Sequence, residues 1–105
     1  MRKTLNAYTV TIQLEAGKTA FESRFCNDED NLAKNNEGVK KALEFLAKQN
    51  ESRYVGVLVV RQDMEWSDTA KHYIGGELYN TYSHICCNKS NWVTVAEAKK
   101  FLMNM

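Results

Sequence analysis

Apolar and polar positions alternate at the start of the chain, with the period of a half-buried β-strand. The apolar-side positions form two runs, which are Tyr8, Val10, Ile12 and Leu14, and then Phe21, Ser23 and Phe25. A hairpin between these runs places Ile12 opposite Phe21, so that apolar side chains meet. The same register places Glu15 opposite Lys18, so that opposite charges meet. We expect a turn longer than two residues there, with Gly17 left-handed, because alanine at position 16 is poor at positive φ.

Two segments carry apolar residues at helical spacing. The first follows a polar connection and has Asn36 as its predicted N-cap; its apolar positions are Val39, Ala42, Leu43 and Leu46. The second begins at the sequence TVAE, a capping box in which Thr94 is the N-cap and Glu97 reaches back. Its apolar stripe consists of Val95, Ala98, Phe101 and Leu102. Each helix has one apolar face, and we expect that face to pack on a sheet.

The segment RYVGVLVVRQ, residues 53–62, is apolar on both alternating sides. One side carries Val55, Val57 and Val59, and the other carries Tyr54, Leu58 and Val60. Such a strand lies in the middle of a sheet or has its second face covered. The covering element is either the second helix or a partner chain.

Residues 63–87 have the least regular pattern. The stretch DMEWSDTAKHYIGG at 63–76 mixes turn-forming residues with aromatic ones, which predicts a long loop leading into a strand near residues 72–74. In the next stretch, ELYNTYSHICC, Leu78, Tyr82 and Ile85 have helical spacing, whereas the residue types favour a strand. We interpret residues 77–87 as a strand.

The resulting order β-β-α-β-β-α predicts an α+β fold, with a single-layer antiparallel sheet of about four strands and two helices on one face. No linker or low-complexity run divides the chain, so we expect residues 1–105 to form a single domain. No stretch reaches the roughly 20 apolar residues of a membrane span, and the first residues do not supply a signal-peptide core. Three cysteines, two of them adjacent, are typical of a reducing compartment. These observations predict a cytoplasmic protein that does not bind membranes.

The charges are nearly balanced, with 14 basic and 13 acidic residues. Proteins that grip a phosphate backbone concentrate lysine and arginine on one face. A sheet that binds single-stranded DNA or RNA is therefore an alternative rather than the main hypothesis. In that alternative the bases would stack on aromatic side chains, which are Tyr54, Trp66, Tyr73, Tyr79, Tyr82 and Trp92.

His84 stands close to Cys86 and Cys87, which raises the question of metal or thiol chemistry. Structural zinc sites usually have two to five residues between the two ligands of one loop, as in C-x₂₋₄-C or H-x₃₋₅-H, whereas this chain has H-x-C and C-C. On a strand His84 and Cys86 share a face and Cys87 points away. A cysteine nucleophile needs a lowered pKa beside an oriented base, and no local signature identifies one. We predict interior packing, no metal, no cofactor and no enzymatic activity; a Cys/His metal protein or thiol-dependent protein is the second alternative.

Trp66 lies in an acidic segment that also contains Asp63, Glu65 and Asp68. An indole there either folds back under the sheet or anchors a protein contact. We predict that Trp66 and Tyr73 fill a pocket on a partner protein, while the three acids steer association with a basic patch. The protein is then a small non-enzymatic binding module, an accessory or inhibitor protein of the kind carried by phages and mobile elements. Homodimerisation, through the strand at 53–62 or an open sheet edge, accompanies this hypothesis.

Overall fold

The computed structural model describes residues 5–28, 35–85 and 89–105. The elements in these ranges are β1 (Leu5–Glu15), β2 (Lys18–Asp28), α1 (Glu37–Ala47), β3 (Tyr54–Ser67), β4 (His72–His84), a 3-10 turn (Lys89–Asn91), β5 (Val93–Thr94) and α2 (Val95–Met103). The sheet is antiparallel in the order β2-β1-β3-β4, and the two-residue β5 also pairs with β3. The predicted α+β fold, a four-stranded antiparallel sheet with two helices, is confirmed.

The hairpin of β1 and β2 has the predicted register. Ile12 pairs with Phe21, and Glu15 pairs with Lys18, whose Nζ lies 3.2 Å from the Glu15 carboxylate. Gly17 has a φ of 77°, so the left-handed glycine is confirmed. The turn nevertheless contains only residues 16 and 17, and the expectation of a longer turn is wrong. Irregular pairing between Ile12 and Glu15 absorbs the tight connection.

The core lies between the helices and one face of the sheet. The sheet contributes Tyr8, Val10, Ile12, Val55, Val57 and Val59, and the helices contribute Val39, Ala42, Leu46, Val95, Ala98 and Leu102. Burying one such Val, Leu or Ile side chain stabilises the fold by about 1.5–3 kcal/mol. The periodicity of the sequence thus predicted the buried sides of β1 and of both helices, and the apolar side of β3 that carries Val57.

Both predicted N-caps form. The Asn36 Oδ1 atom accepts hydrogen bonds from the backbone N–H groups of Gly38 and Val39, at 2.9 Å and 3.4 Å. The Asn36 Nδ2 atom donates to the Phe25 carbonyl and to Asn27 Oδ1, both at 2.9 Å. Asn36 therefore begins α1 and also ties that helix to β2.

Strand β3 is central, between β1 and β4, as its doubly apolar sequence predicted. Both helices pack on the side of Val57, and neither covers the second side. There the indole of Trp92 packs on Gly56, and Leu58 remains half-buried. Of the two covering elements expected for this face, the second helix is therefore excluded, while a partner chain stays a prediction.

For residues 63–76 the predicted strand near 72–74 is confirmed, because β4 begins at His72, but the long loop before it is wrong, because β3 continues through Ser67. Residues 68–71 form a turn that is closed by two hydrogen bonds: Lys71 N–H donates to the Ser67 carbonyl at 2.9 Å, and Ala70 N–H donates to Ser67 Oγ at 3.1 Å. Described residues of β1 pair with β3 only as far as Met64, so within the described part of the chain 65–67 and 72–74 pair only with each other and form a two-stranded tip. Both faces of such a tip meet water, and its sequence therefore lacks the alternation of a half-buried strand. The interpretation of 77–87 as a strand is confirmed as far as His84; Ile85 lies beyond the strand end, and residues 86–87 lie outside the described residues.

None of the described helices is both long enough and apolar enough to cross a membrane.

Candidate functional site

A groove of about 550 Å³ lies at the tip of the β3–β4 hairpin. Its walls include Asp63, Glu65 and Trp66 from β3, and Ile74, Glu77 and Tyr79 from β4. We call it the hairpin groove. Three acidic and two aromatic residues thus line one concave surface on the part of the hairpin that is farthest along the strands from the core.

Two consecutive glycines shape the hairpin groove. Gln62 pairs with Leu78 and Met64 pairs with Gly75, so β4 carries more residues than β3 over this stretch and bulges. A Cβ at Gly75 would lie 2.5 Å from Gln62 Nε2, and one at Gly76 would lie 3.1 Å from the backbone oxygen of Asp63. The Gln62 amide also donates to the Gly76 carbonyl at 3.2 Å. The glycine pair therefore lets the bulged strand pass close to β3.

The two predicted anchor residues are brought together. Trp66 and Tyr73 are directly opposite each other on the two strands. Their rings pack edge to face, with centroids 5.3 Å apart and an interplanar angle of 77°. Both side chains are half-buried. Trp66 is therefore neither folded back under the sheet nor placed in a loop, and each ring holds the other in position.

The acidic residues of the hairpin groove have different neighbours. The Asp63 carboxylate lies 3.1 Å from Arg61 Nε, and the Arg61 guanidinium lies 4.5 Å from the centroid of the Tyr79 ring. The Tyr79 hydroxyl donates to the Glu77 carboxylate at 2.8 Å. This hydrogen bond and the negative charge of Glu77 raise the pKa of the Tyr79 phenol above its usual value. The groove wall thus combines negative charge with aromatic surface.

The structure separates one predicted site residue from the others. Asp68 lies in the turn after Ser67, outside the hairpin groove, whereas Asp63, Glu65 and Trp66 line the groove. Sequence reasoning missed Glu77 and Tyr79 as members of the same surface. The available signal was the glycine pair at 75–76, since consecutive glycines inside a strand indicate a bulge or a close backbone approach.

The histidines are not arranged as metal ligands. His72 and His84 lie at opposite ends of β4, roughly 40 Å apart at the rise of an extended strand. His84 Nδ1 is 3.1 Å from the carbonyl oxygen of Asn91. Within 5–28, 35–85 and 89–105, no group of three or more His, Cys, Asp or Glu residues is placed to hold a metal ion. Cys86 and Cys87 lie outside the described residues, so the zinc and thiol alternatives built on them remain hypotheses.

The aromatic residues named for base stacking do not share one surface. Tyr82 stacks on Phe101 on the helix side of the sheet, while Trp92 is buried on the opposite side against Gly56. Trp66 lies at the hairpin tip, away from both. Tyr82 and Trp92 therefore do not belong to one continuous stacking surface, because they lie on opposite faces of the sheet.

Comparison with protein-family models, with curated proteins and with solved structures found no significant match to this chain.

Proposed function

We propose that this protein is a small non-enzymatic binding module that covers a surface of another protein with the tip of its β3–β4 hairpin. The observation that carries the proposal is the exposure of large apolar side chains on β4: Leu78 is 67% exposed, Ile74 49% and Tyr79 38%. Exposed apolar and aromatic residues beside charged ones are typical of protein-binding surfaces. An accessory or inhibitor role follows from this mode of action, since such a module acts by occupying its partner.

In this proposal the edge-to-face pair of Trp66 and Tyr73 is the rigid centre of the contact. Aromatic side chains with fixed rotamers lose little conformational entropy on binding and contribute much of the energy of protein interfaces. Asp63 and Glu65 on the other face of the same strand, with Asp68 in the turn, attract a basic patch on the partner and raise the association rate. The hydrophobic centre and the acidic rim together define the complementary surface.

The experiment compares Trp66→Ala with Tyr54→Ala. Tyr54 is 59% exposed, but it lies at the other end of β3, so it is a matched control for the loss of an exposed ring. A partner retained by the tagged wild-type protein in its host lysate is identified, purified and titrated against each variant by calorimetry. We expect Trp66→Ala to abolish binding and Tyr54→Ala to leave it unchanged.

The melting temperature separates binding from folding. Trp66→Ala should lower it by less than about 4 °C, the shift that accompanies about 1 kcal/mol in a domain of this size. A much larger loss would make Trp66 a structural residue and contradict the proposal. Retention of an oligonucleotide instead of a protein, with a steep dependence on salt, would favour the nucleic-acid alternative.

A further inference from the structure

We propose that two copies of this protein pair along strand β2 and form a symmetric dimer. In the described part of the chain, β2 and β4 are the two edges of the sheet, and no strand pairs with the outer side of either one. An edge strand leaves a row of backbone N–H and C=O groups unpaired, which makes it a template for another strand. The inference goes beyond the proposed function and does not depend on it, because the hairpin groove lies at the opposite edge.

The two edge strands differ in regularity. The pairing of β4 with β3 shifts register twice between Val59 and Met64, and such bulges protect an edge against pairing. By contrast, β2 pairs with β1 without a shift from Phe21 to Asp28, and its irregular pairing is confined to the turn end. Strand β2 therefore has the longer uninterrupted edge.

The sequence of β2 is self-complementary about Ser23, which points to a second copy as the partner strand. A two-fold axis beside Ser23 aligns two β2 strands antiparallel and places Glu22 opposite Arg24. The same axis places Phe21 opposite Phe25. Opposite charges and aromatic pairs that face each other stabilise an antiparallel strand pair. Each of these contacts occurs twice in the dimer, because the axis generates its mate.

The side chains of these pairs are accessible. Glu22 is exposed and has no ion-pair partner among the described residues. Arg24 is also exposed and donates from Nη2 to Gln62 Oε1 at 3.0 Å, which leaves its other N–H groups for Glu22 of the second copy. Phe21 and Phe25 are half-buried on the opposite face, so pairing removes more of their apolar surface from water.

Ser23 itself supplies a further observation. Its hydroxyl oxygen is buried and has no hydrogen-bond partner. An unpaired buried hydroxyl costs stability. The two-fold axis places the two Ser23 residues directly opposite each other, where serine hydroxyls can form a cross-strand hydrogen bond.

The first helix follows the same symmetry. Helix α1 packs on both β1 and β2, and its Phe45 ring lies 5.5 Å from that of Phe21. Since neighbouring strands are about 4.8 Å apart, the axis brings the two α1 helices to about 10 Å from each other, which is the distance of helices in contact. The dimer therefore extends the sheet and the helical layer together, and the interface is larger than a strand pair alone.

Sedimentation equilibrium tests the dimer and its charged pairs. The wild-type protein should have twice the 12.1 kDa mass of one chain. Glu22→Arg and Arg24→Glu each place like charges opposite each other twice per dimer, so each should raise the dissociation constant about tenfold. The double variant, Glu22→Arg with Arg24→Glu, restores the attraction and should recover the wild-type dissociation constant. Lys100→Glu on α2 changes the net charge as Arg24→Glu does, away from β2, and should have no effect.

Cysteine cross-linking tests the register. Glu22→Cys protein is mixed with Arg24→Cys protein and oxidised with oxidised glutathione. The mixed dimer keeps one Glu22–Arg24 pair and places the two new thiols directly opposite each other. We expect a disulfide between positions 22 and 24 of different copies, identified by mass spectrometry of the linked peptides. Either variant alone should not form it at its new position, because like positions are diagonal and about 7–8 Å apart.

Three results would each overturn the inference. The first is a wild-type protein that stays monomeric at millimolar concentration. The second is a dimer whose dissociation constant is unchanged by the single charge reversals, or is not recovered in the double variant. The third is the absence of the disulfide between positions 22 and 24 from the oxidised mixture.

Discussion

The ring of Tyr82 on β4 lies flat against the ring of Phe101 on α2, with 3.9 Å between the centroids and 9° between the planes. Strand β4 is an edge strand whose side chains are mostly exposed. Among the described hydrophobic residues of β4, Tyr82 is the one that packs against the buried core. The stack therefore joins an otherwise exposed edge strand to the C-terminal helix.

Replacing Tyr82 by alanine should destabilise the protein by about 2 kcal/mol, less than the 3–5 kcal/mol typical of a fully buried aromatic residue, because this ring is only half-buried. Tyr82→Phe keeps the ring, so its free energy of unfolding should stay close to that of wild type. Urea unfolding of the two variants measures the difference. If Tyr82→Ala costs no more than the exposed-site variant Tyr54→Ala, the stack does not hold β4 on the core.

The same residue predicts a pH dependence of stability. Burial raises the pKa of the Tyr82 phenol above its usual value, and the charge of Glu97 raises it further. Because the folded-state pKa exceeds the unfolded one, this contribution is complete below about pH 10 and is lost as the pH rises through the folded-state pKa. The unfolding free energy of wild type should therefore fall more steeply above about pH 10 than that of Tyr82→Phe. Parallel curves for the two proteins would show that the phenol does not titrate differently on folding.

A methyl group at Gly56 should collide with Trp92. The added Cβ would lie 2.9 Å from Trp92 Cε2, and Trp92 is only 5% exposed and has little room to move. We expect Gly56→Ala to cost about 1–3 kcal/mol, the range for overpacking, although alanine by itself is better than glycine in a strand. Chemical denaturation measures the cost.

The control repeats Gly56→Ala in a Trp92→Leu background. There the contact is absent, so the cost should largely disappear, and the two substitutions should be strongly non-additive. An equal cost in both backgrounds would assign the effect to the backbone of β3 rather than to the indole.

Asn36 should be among the most sensitive polar residues of the chain. Asn36→Ala removes an N-cap and also leaves the Phe25 carbonyl and Asn27 Oδ1 without the hydrogen bonds that the Asn36 amide donates. The cap is worth about 0.5–2 kcal/mol and each of the two lost hydrogen bonds about 0.5–1.5 kcal/mol, so we expect a loss of about 2–3 kcal/mol. Thermal and urea unfolding both report this loss.

Asn36→Ser separates the two roles of this residue. Serine keeps a cap for α1 but lacks the amide group that donates to both acceptors on β2, so the stability of Asn36→Ser should fall between those of wild type and Asn36→Ala. A serine variant as stable as wild type would show that the contacts to β2 add nothing beyond the cap.

The register of the first hairpin was predictable because residues close together in the sequence determine it. A slip of one residue would turn Val10 and Ile12 to the wrong face, so the alternating pattern and a short turn together leave one pairing. The N-caps at Asn36 and Thr94 were predictable for the same reason, since each is formed mainly by the first turn of its own helix.

The candidate site was predictable only in part. The acidic setting of Trp66 left open whether the indole folds back under the sheet or is accessible, and the structure places it half-buried at the hairpin tip. The path of residues 63–67 was predicted wrongly, because a two-stranded tip with water on both faces carries no alternation. Arg61 and Tyr79 face each other only through the pairing of β3 with a bulged β4, which no local pattern reveals.

The sequence by itself determined the element types of the core, its buried faces, both helix starts and the α+β class, because periodicity and capping act over a few residues. The tertiary structure alone decided that β3 and β4 continue as one long hairpin and that Glu65, Trp66, Glu77 and Tyr79 line a common groove. That arrangement depends on strand register, on the bulge at Gly75 and Gly76, and on the reach of the hairpin beyond the helices. These are relations between residues about ten positions apart or more, and their geometry is set by the whole sheet.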